Sequence, residues 1–127
     1  LVFIMGGGEL KFEQLKVWQD SFDLAVEVYR AFSSVRDYGF CDQVRRSAVS
    51  VPSNISEGLE RETNKEVIRF LYYAKGSAGE LYTQLAIAQQ LQYIDRDSAT
   101  RLKNKAQEVS RMLGGFIKYR KESGWSV

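Results

Sequence analysis

Residues 43–58 read Gln43-Val44-Arg45-Arg46-Ser47-Ala48-Val49-Ser50-Val51-Pro52-Ser53-Asn54-Ile55-Ser56-Glu57-Gly58. Together with Phe40 just upstream, Val44, Ala48, Val51 and Ile55 recur at steps of four, four, three and four. Such steps put five apolar side chains on one face of an α-helix, where a half-buried strand would alternate. The spacing predicts a helix from about Phe40 to Ser56, after a turn at Tyr38-Gly39 and with Gly58 as C-terminal cap. Pro52 lies inside it and removes the donor that would reach the carbonyl of Ala48, at a cost of about 3 kcal/mol. A bend is expected there, with Ser50 and Ser53 helping to satisfy the freed carbonyl. A second, polar stripe of Arg46, Ser50, Asn54 and Glu57 runs along the same helix.

The rest of the chain carries the same period. A first helix is expected from about Phe12 to Ser34, with two apolar stripes. Leu15, Trp18, Phe22, Ala25, Tyr29 and Phe32 form a heptad-like seam, read as the core face; Val17, Leu24, Val28 and Val35 lie on another face. A helix that is apolar on two faces needs either a wide core or two partners, the bundle interior and a second subunit. A third helix opens at the capping box Thr63-Asn64-Lys65-Glu66 and runs to about Leu91. Its core seam is Val67, Phe70, Ala74, Ala78, Leu81, Leu85 and Ala88. Gly76 and Gly79 are costly in a helix, and are expected where the small residues Ser47, Ala48 and Ser50 of the second helix approach closely. A fourth helix, capped by Asp95 or Asp97, carries Leu102, Ala106, Val109, Leu113 and Phe116 on one face and ends near Lys121.

Four long amphipathic segments with short connections predict an all-α, antiparallel up-and-down four-helix bundle. The chain has 127 residues, enough for one domain with a real core. The bundle domain is expected over residues 10–122, with 123–127 a short tail. Residues 1–9, with three consecutive glycines at Gly6-Gly7-Gly8, are expected to be a flexible extension, arising from a start upstream of Met5 or left over from expression. A 44% apolar and 27% charged composition is ordinary for a globular domain, and a formal charge of +2 does not by itself demand a nucleic-acid partner. One cysteine, Cys41, and no histidine rule out an internal disulfide and any Ser-His or Cys-His catalytic pair. They also fit a reducing, cytoplasmic location and make a zinc site unexpected. No stretch approaches the roughly 20 apolar residues of a membrane span, so no membrane association is expected.

These segments resemble the bacterial four helix bundle protein family, which includes proteins encoded in intervening sequences of large-subunit ribosomal RNA genes. Their architecture is also similar to that of the accessory variability proteins of diversity-generating retroelements. The resemblance spans Phe12 to Lys121 and is carried by Leu15-Lys16-Val17-Trp18-Gln19, Tyr38-Gly39, Gln43 to Ala48, Ser50 to Gly58, Arg69-Phe70-Leu71, Gly76-Ser77 and Glu80-Leu81. The block from Pro52 to Gly58 with its upstream arginines is its most specific part; the fourth helix matches only as a pattern. The resemblance implies a homo-oligomer, commonly a five-membered ring, a nucleic-acid role, no enzymatic activity and no cofactor.

Two sets of polar residues are candidates for function. Arg46 shares a stripe with Asn54 and Glu57, so a structural network of Arg46, Asn54, Glu57 and Glu80 is expected, with Arg46 paired to one of the carboxylates. A carboxylate pair such as Glu57 and Glu80 would also suit acid–base chemistry, but neither a nucleophile nor a phosphate loop accompanies it. The fourth helix is the most basic part of the chain, with Arg96, Arg101, Lys103, Lys105, Arg111, Lys118, Arg120 and Lys121. Arg45, Arg101, Lys103, Lys105, Arg111 and Lys118 are the candidate contacts to phosphates; the plain alternative is a solvated helix face. Tyr72, Tyr73, Tyr82 and Tyr93 are candidates for base stacking or for packing between helices or subunits. Cys41 reads best as a small apolar residue. The leading expectation is a homo-oligomeric scaffold that binds RNA or DNA electrostatically, alone or with a nucleic-acid enzyme. The alternative is a protein-interaction adaptor with no nucleic-acid affinity.

Overall fold

The computed structural model describes residues 11–123. Both the expected extension over 1–9 and the tail from 124 onward lie outside the described residues, while Ser123 ends the last helix. A 3-10 turn, Lys11–Gln14, leads into four α-helices: α1 Lys16–Ala31, α2 Tyr38–Leu59, α3 Asn64–Gln90 and α4 Arg96–Ser123. There is no strand among the described residues. Each helix packs against its neighbours in chain order and α1 closes against α4, so α1 faces α3 across one diagonal and α2 faces α4 across the other. This is the all-α four-helix bundle that the periodicity predicts.

The helix ends follow local chemistry. Leu15 is extended, so α1 starts four residues later than Phe12. Asp37 caps α2, its carboxylate accepting from the Phe40 amide at 3.1 Å. Tyr38 and Gly39 are therefore the first turn of α2 and not a turn before it. Thr63 caps α3 through Glu66 N at 3.2 Å, and Asp95 caps α4 through Ser98 N at 2.7 Å. At the end of α3 the amide of Tyr93 reaches the Ala88 carbonyl and that of Gln92 reaches Gln89, a Schellman arrangement that forces Gln92 to φ 60°. Pro52 does not end α2, and neither nearby serine serves Ala48 as expected. Ser50 Oγ donates to the Ser47 carbonyl at 2.8 Å, the ordinary back-bond of a helical serine, and Ser53 makes no such bond.

The core is aliphatic and continuous: Val17, Leu24, Val28, Val44, Val51, Ile55, Leu71, Leu81, Leu85, Leu102 and Leu113 are all buried. Its α1 side is only part of the expected seam: Ala25 and Phe32 are buried and Leu15 and Trp18 pack partly against the core. Val17, Ser21, Leu24, Ala25 and Val28 face inward, while Phe22 and Tyr29 are 48% and 47% exposed. Ser21 is tolerated there because its hydroxyl donates to the Trp18 carbonyl at 2.9 Å.

The glycines also change places. A Cβ on Gly58 would lie 2.7 Å from Phe70 Cβ and 3.4 Å from the Val67 carbonyl oxygen, whereas nothing lies within 4 Å of one on Gly76 or Gly79. Gly58 is thus inside α2, where it lets α3 approach, and Glu60 is the cap. Gly58→Ala is expected to destabilise the bundle by about 1–3 kcal/mol, because Phe70 Cβ is anchored to backbone and cannot step aside. Gly76→Ala and Gly79→Ala should each stabilise it by up to about 1 kcal/mol, as expected for open helical positions. Urea unfolding of the three variants checks both signs.

Candidate interaction surfaces

The two expected sets of polar residues are arranged differently from their sequence grouping. Arg46 is exposed and forms no ion pair, while Glu57 is held by Arg61 at 2.9 Å. Eleven residues of helix separate Arg46 from Glu57, an axial distance of about 16 Å that these side chains do not span. Asn54 instead donates to the Ser50 carbonyl at 2.8 Å. Arg46 and Glu80 do border one recess of about 170 Å³, with Gln43, Ser47 and Ser50, but are not bonded to each other. The expected network of Arg46, Asn54, Glu57 and Glu80 therefore does not form within the chain. Arg46→Ala should shift stability by no more than about 0.5 kcal/mol, as at other exposed positions.

Arg45 serves the end of α1. Its Nη2 donates to the Phe32 carbonyl at 3.4 Å and its guanidinium lies 5.1 Å from the Tyr29 ring centre, half-buried. A cation at a helix C-terminus is favourable there, and little of it is left for a phosphate. Cys41 works at the same place. It is buried, and its thiol points to the carbonyls of Val35 and Phe32 at 3.6 and 3.9 Å.

The basic residues of α4 divide into groups. Arg101 and Lys105 both grip Glu27 of α1. Arg111 pairs with Glu108 one turn back. Arg120 is fully buried, its Nε donating to Asn64 Oδ1 at 2.7 Å while Asn64 Nδ2 donates to the Arg120 carbonyl at 2.9 Å. Burial pulls the Arg120 pKa below its ordinary value. Lys118 is exposed, and Lys103 and Lys121 lie toward α3. The six candidate phosphate contacts thus do not share one free face. Arg101, Lys105 and Arg111 carry partly neutralised charge, Lys103 lies toward α3, and Lys118 is exposed.

Burial pushes the Glu27 carboxyl upward, but the hydrogen bonds and charges of Lys105 and Arg101 outweigh it, so its pKa lies below the ordinary value. Glu27 is therefore depressed in the folded chain. Its contribution is present above the unfolded glutamate pKa of about 4.3 and is lost as pH falls through the lower folded value. Glu27→Gln is expected to cost up to about 1 kcal/mol at neutral pH, since the three side chains remain partly exposed. The difference from the parent should vanish in acid. Urea midpoints across that pH range check it.

Sequence reasoning placed in the core an aromatic face that is in part an open apolar surface. Trp18, Phe22, Ala25, Val26, Tyr29, Val49 and Pro52 line an open groove of about 520 Å³ between α1 and α2, with Arg30, Ser53 and Ser56 also lining it. Trp18 and Phe22 stack in it at 5.2 Å. Isolated exposed apolar residues are common, but a contiguous aromatic groove is not. The bundle is therefore two-sided, because α3 and α4 lie behind this face. Among the described residues no helix is long and apolar enough to cross a membrane, and no three His, Cys, Asp or Glu side chains gather as a metal site would need.

The match that decides the relationship is to the family model described as 23S rRNA-intervening sequence protein, over residues 13–115. The chain belongs to this family. The matched span covers α1 to α3 and most of α4, stopping short of Arg120. A solved structure from Bacteroides thetaiotaomicron VPI-5482 is similar, with a TM-score of 0.75, 24% identity, and coverage of 80% of this chain and 98% of that one. That protein is described as one of unknown function from the S23 ribosomal protein family, and the likeness shows a shared fold. No curated protein matches this family member.

Proposed function

We propose that this protein is a non-enzymatic helical scaffold that self-associates through the α1–α2 groove and binds nucleic acid electrostatically. The observation that carries the reading is the two-sided surface: an open aromatic groove on α1 and α2, and lysines set beside tyrosine rings, outside any ion pair among the described residues, on the α3–α4 side. A second copy is the occupant that suits the groove. Phe22, Tyr29 and Val49 are exposed around the hollow, so the groove presents a contiguous apolar surface for a second copy to cover. A contact between different patches of successive copies closes into a ring, and five is the number adopted here from the family resemblance. The assembly would repeat each basic face, and weak phosphate contacts would then add through multivalency.

The test is a titration of labelled RNA and DNA at low and moderate salt. Binding that weakens steeply with salt and depends little on sequence is expected from lysines that neutralise phosphates without reading base edges. No binding at low salt would leave the protein-interaction adaptor as the reading.

A further inference from the structure

We propose that the α3–α4 face is a site for single-stranded nucleic acid, with Tyr72 and Tyr82 as stacking platforms and Lys75, Lys103 and Lys121 as phosphate contacts. It rests on the nucleic-acid reading above and specifies the surface and the strand state. The two helices run antiparallel, and their side chains meet across the seam in pairs. Lys121 Nζ donates to the Tyr72 hydroxyl at 2.7 Å and lies 5.0 Å from that ring centre. Lys103 Nζ lies 5.9 Å from the Tyr82 ring centre. Between these pairs the stem of Lys75 crosses toward α4, where a Cβ on Gly114 would stand 3.4 Å from its Cε. Gly114 leaves the space this lysine uses.

Neighbouring acids are engaged elsewhere or at the margin. Glu66 is bound to Arg69 and Glu108 to Arg111, while Glu80 borders the recess with α2. Glu122 stands at the far end, one turn from Lys118. Among the described residues Lys75, Lys103 and Lys121 form no ion pair, unlike the α1–α4 side, where Glu27 occupies Arg101 and Lys105. Tyr72 and Tyr82 are 47% and 37% exposed, so each retains open ring surface. Single strands expose base faces that a duplex keeps stacked, and alternating rings and cations along a groove is the arrangement that holds them. The face lies opposite the α1–α2 groove, so it stays open when a second copy covers that groove.

The experiment measures polarisation of short labelled RNA and DNA single strands, and of the matching duplex RNA, against the full chain and its variants. Single strands should bind more tightly than duplex. The double variant Tyr72→Ala/Tyr82→Ala should lose about tenfold or more in single-strand affinity, while Tyr72→Phe/Tyr82→Phe should stay close to the parent because the rings remain. Lys103→Gln/Lys121→Gln should weaken binding and flatten its salt dependence. Arg101→Gln/Lys105→Gln, which removes the same charge from the other side of α4, should do so much less. Circular dichroism confirms that each variant is folded. Tighter binding to duplex, unchanged affinity in the tyrosine-to-alanine variant, or equal losses in the two charge pairs would overturn the assignment while leaving a nucleic-acid role standing. Absence of any binding by the parent chain would remove both.

Discussion

Phe22→Glu is expected to disperse the assembly into single chains while leaving the bundle folded. Phe22 is about half exposed in the single chain and stacks on Trp18 in the middle of the α1–α2 groove. A carboxylate there costs the isolated fold little, since substitutions at exposed positions usually stay within about 0.5 kcal/mol. In a covered groove the same carboxylate would be desolvated without a partner. Aromatic anchors at interface centres typically contribute 2 kcal/mol or more, so each contact should weaken by about thirtyfold at least. Mass action gives a second readout: the parent's melting temperature should rise with protein concentration and the variant's should not. A variant that remains associated would place the interface elsewhere.

Asn64→Ala should be among the most damaging single substitutions at a position that is not apolar. Asn64 begins α3 and Arg120 lies in the last turn of α4, and two reciprocal hydrogen bonds, of 2.7 and 2.9 Å, join them. The Arg120 side chain is fully buried, so the lost acceptor cannot be replaced by bulk water. Hydrogen bonds to charged groups contribute about 1.5–3 kcal/mol, and Asn64 makes one to the guanidinium and a second to the Arg120 carbonyl. A destabilisation of about 3 kcal/mol is expected in urea unfolding, larger than for Glu27→Gln, whose partners reach solvent. A change below 1 kcal/mol would show that the Arg120 site relaxes without Asn64.

The architecture was legible because each helix declared itself by period, and α3 and α4 also by cap. Thr63 with Glu66, and Asp95 with Ser98, act where the sequence placed them. The direction of α1 was not legible. Two stripes at helical spacing say that two faces are apolar, not which one meets the core. The aliphatic stripe includes Ser21, because a serine that bonds its own helix backbone fits a core. Of the aromatic seam, Ala25 and Phe32 reach the core while Phe22 and Tyr29 are left outside. Glycine positions misled for a related reason. Their cost in a helix is visible in sequence, but the helix they admit is a property of packing, and only Gly58 meets one at close range.

The polar residues were least legible because charge partners are set by tertiary neighbours. Arg46 and Glu57 share a stripe but stand three turns apart. Glu27, never singled out, takes Arg101 and Lys105 from across the α1–α4 seam. Arg120 reads as one more surface cation, yet it follows Leu113 and Ile117 on the buried face of α4. That heptad step was the signal available in the sequence. Tyr72 and Tyr82 were noted as stacking candidates, but their pairing with Lys121 and Lys103 required the antiparallel register of α3 and α4.

The central claim is that a second copy covers the α1–α2 groove. Sedimentation velocity of the parent chain at micromolar concentration, beside Phe22→Glu, tests it most directly. The account expects a discrete species at about five times the 14.5 kDa chain mass for the parent, and the single-chain mass for the variant. A parent chain that sediments as a 14.5 kDa monomer across that range would contradict it.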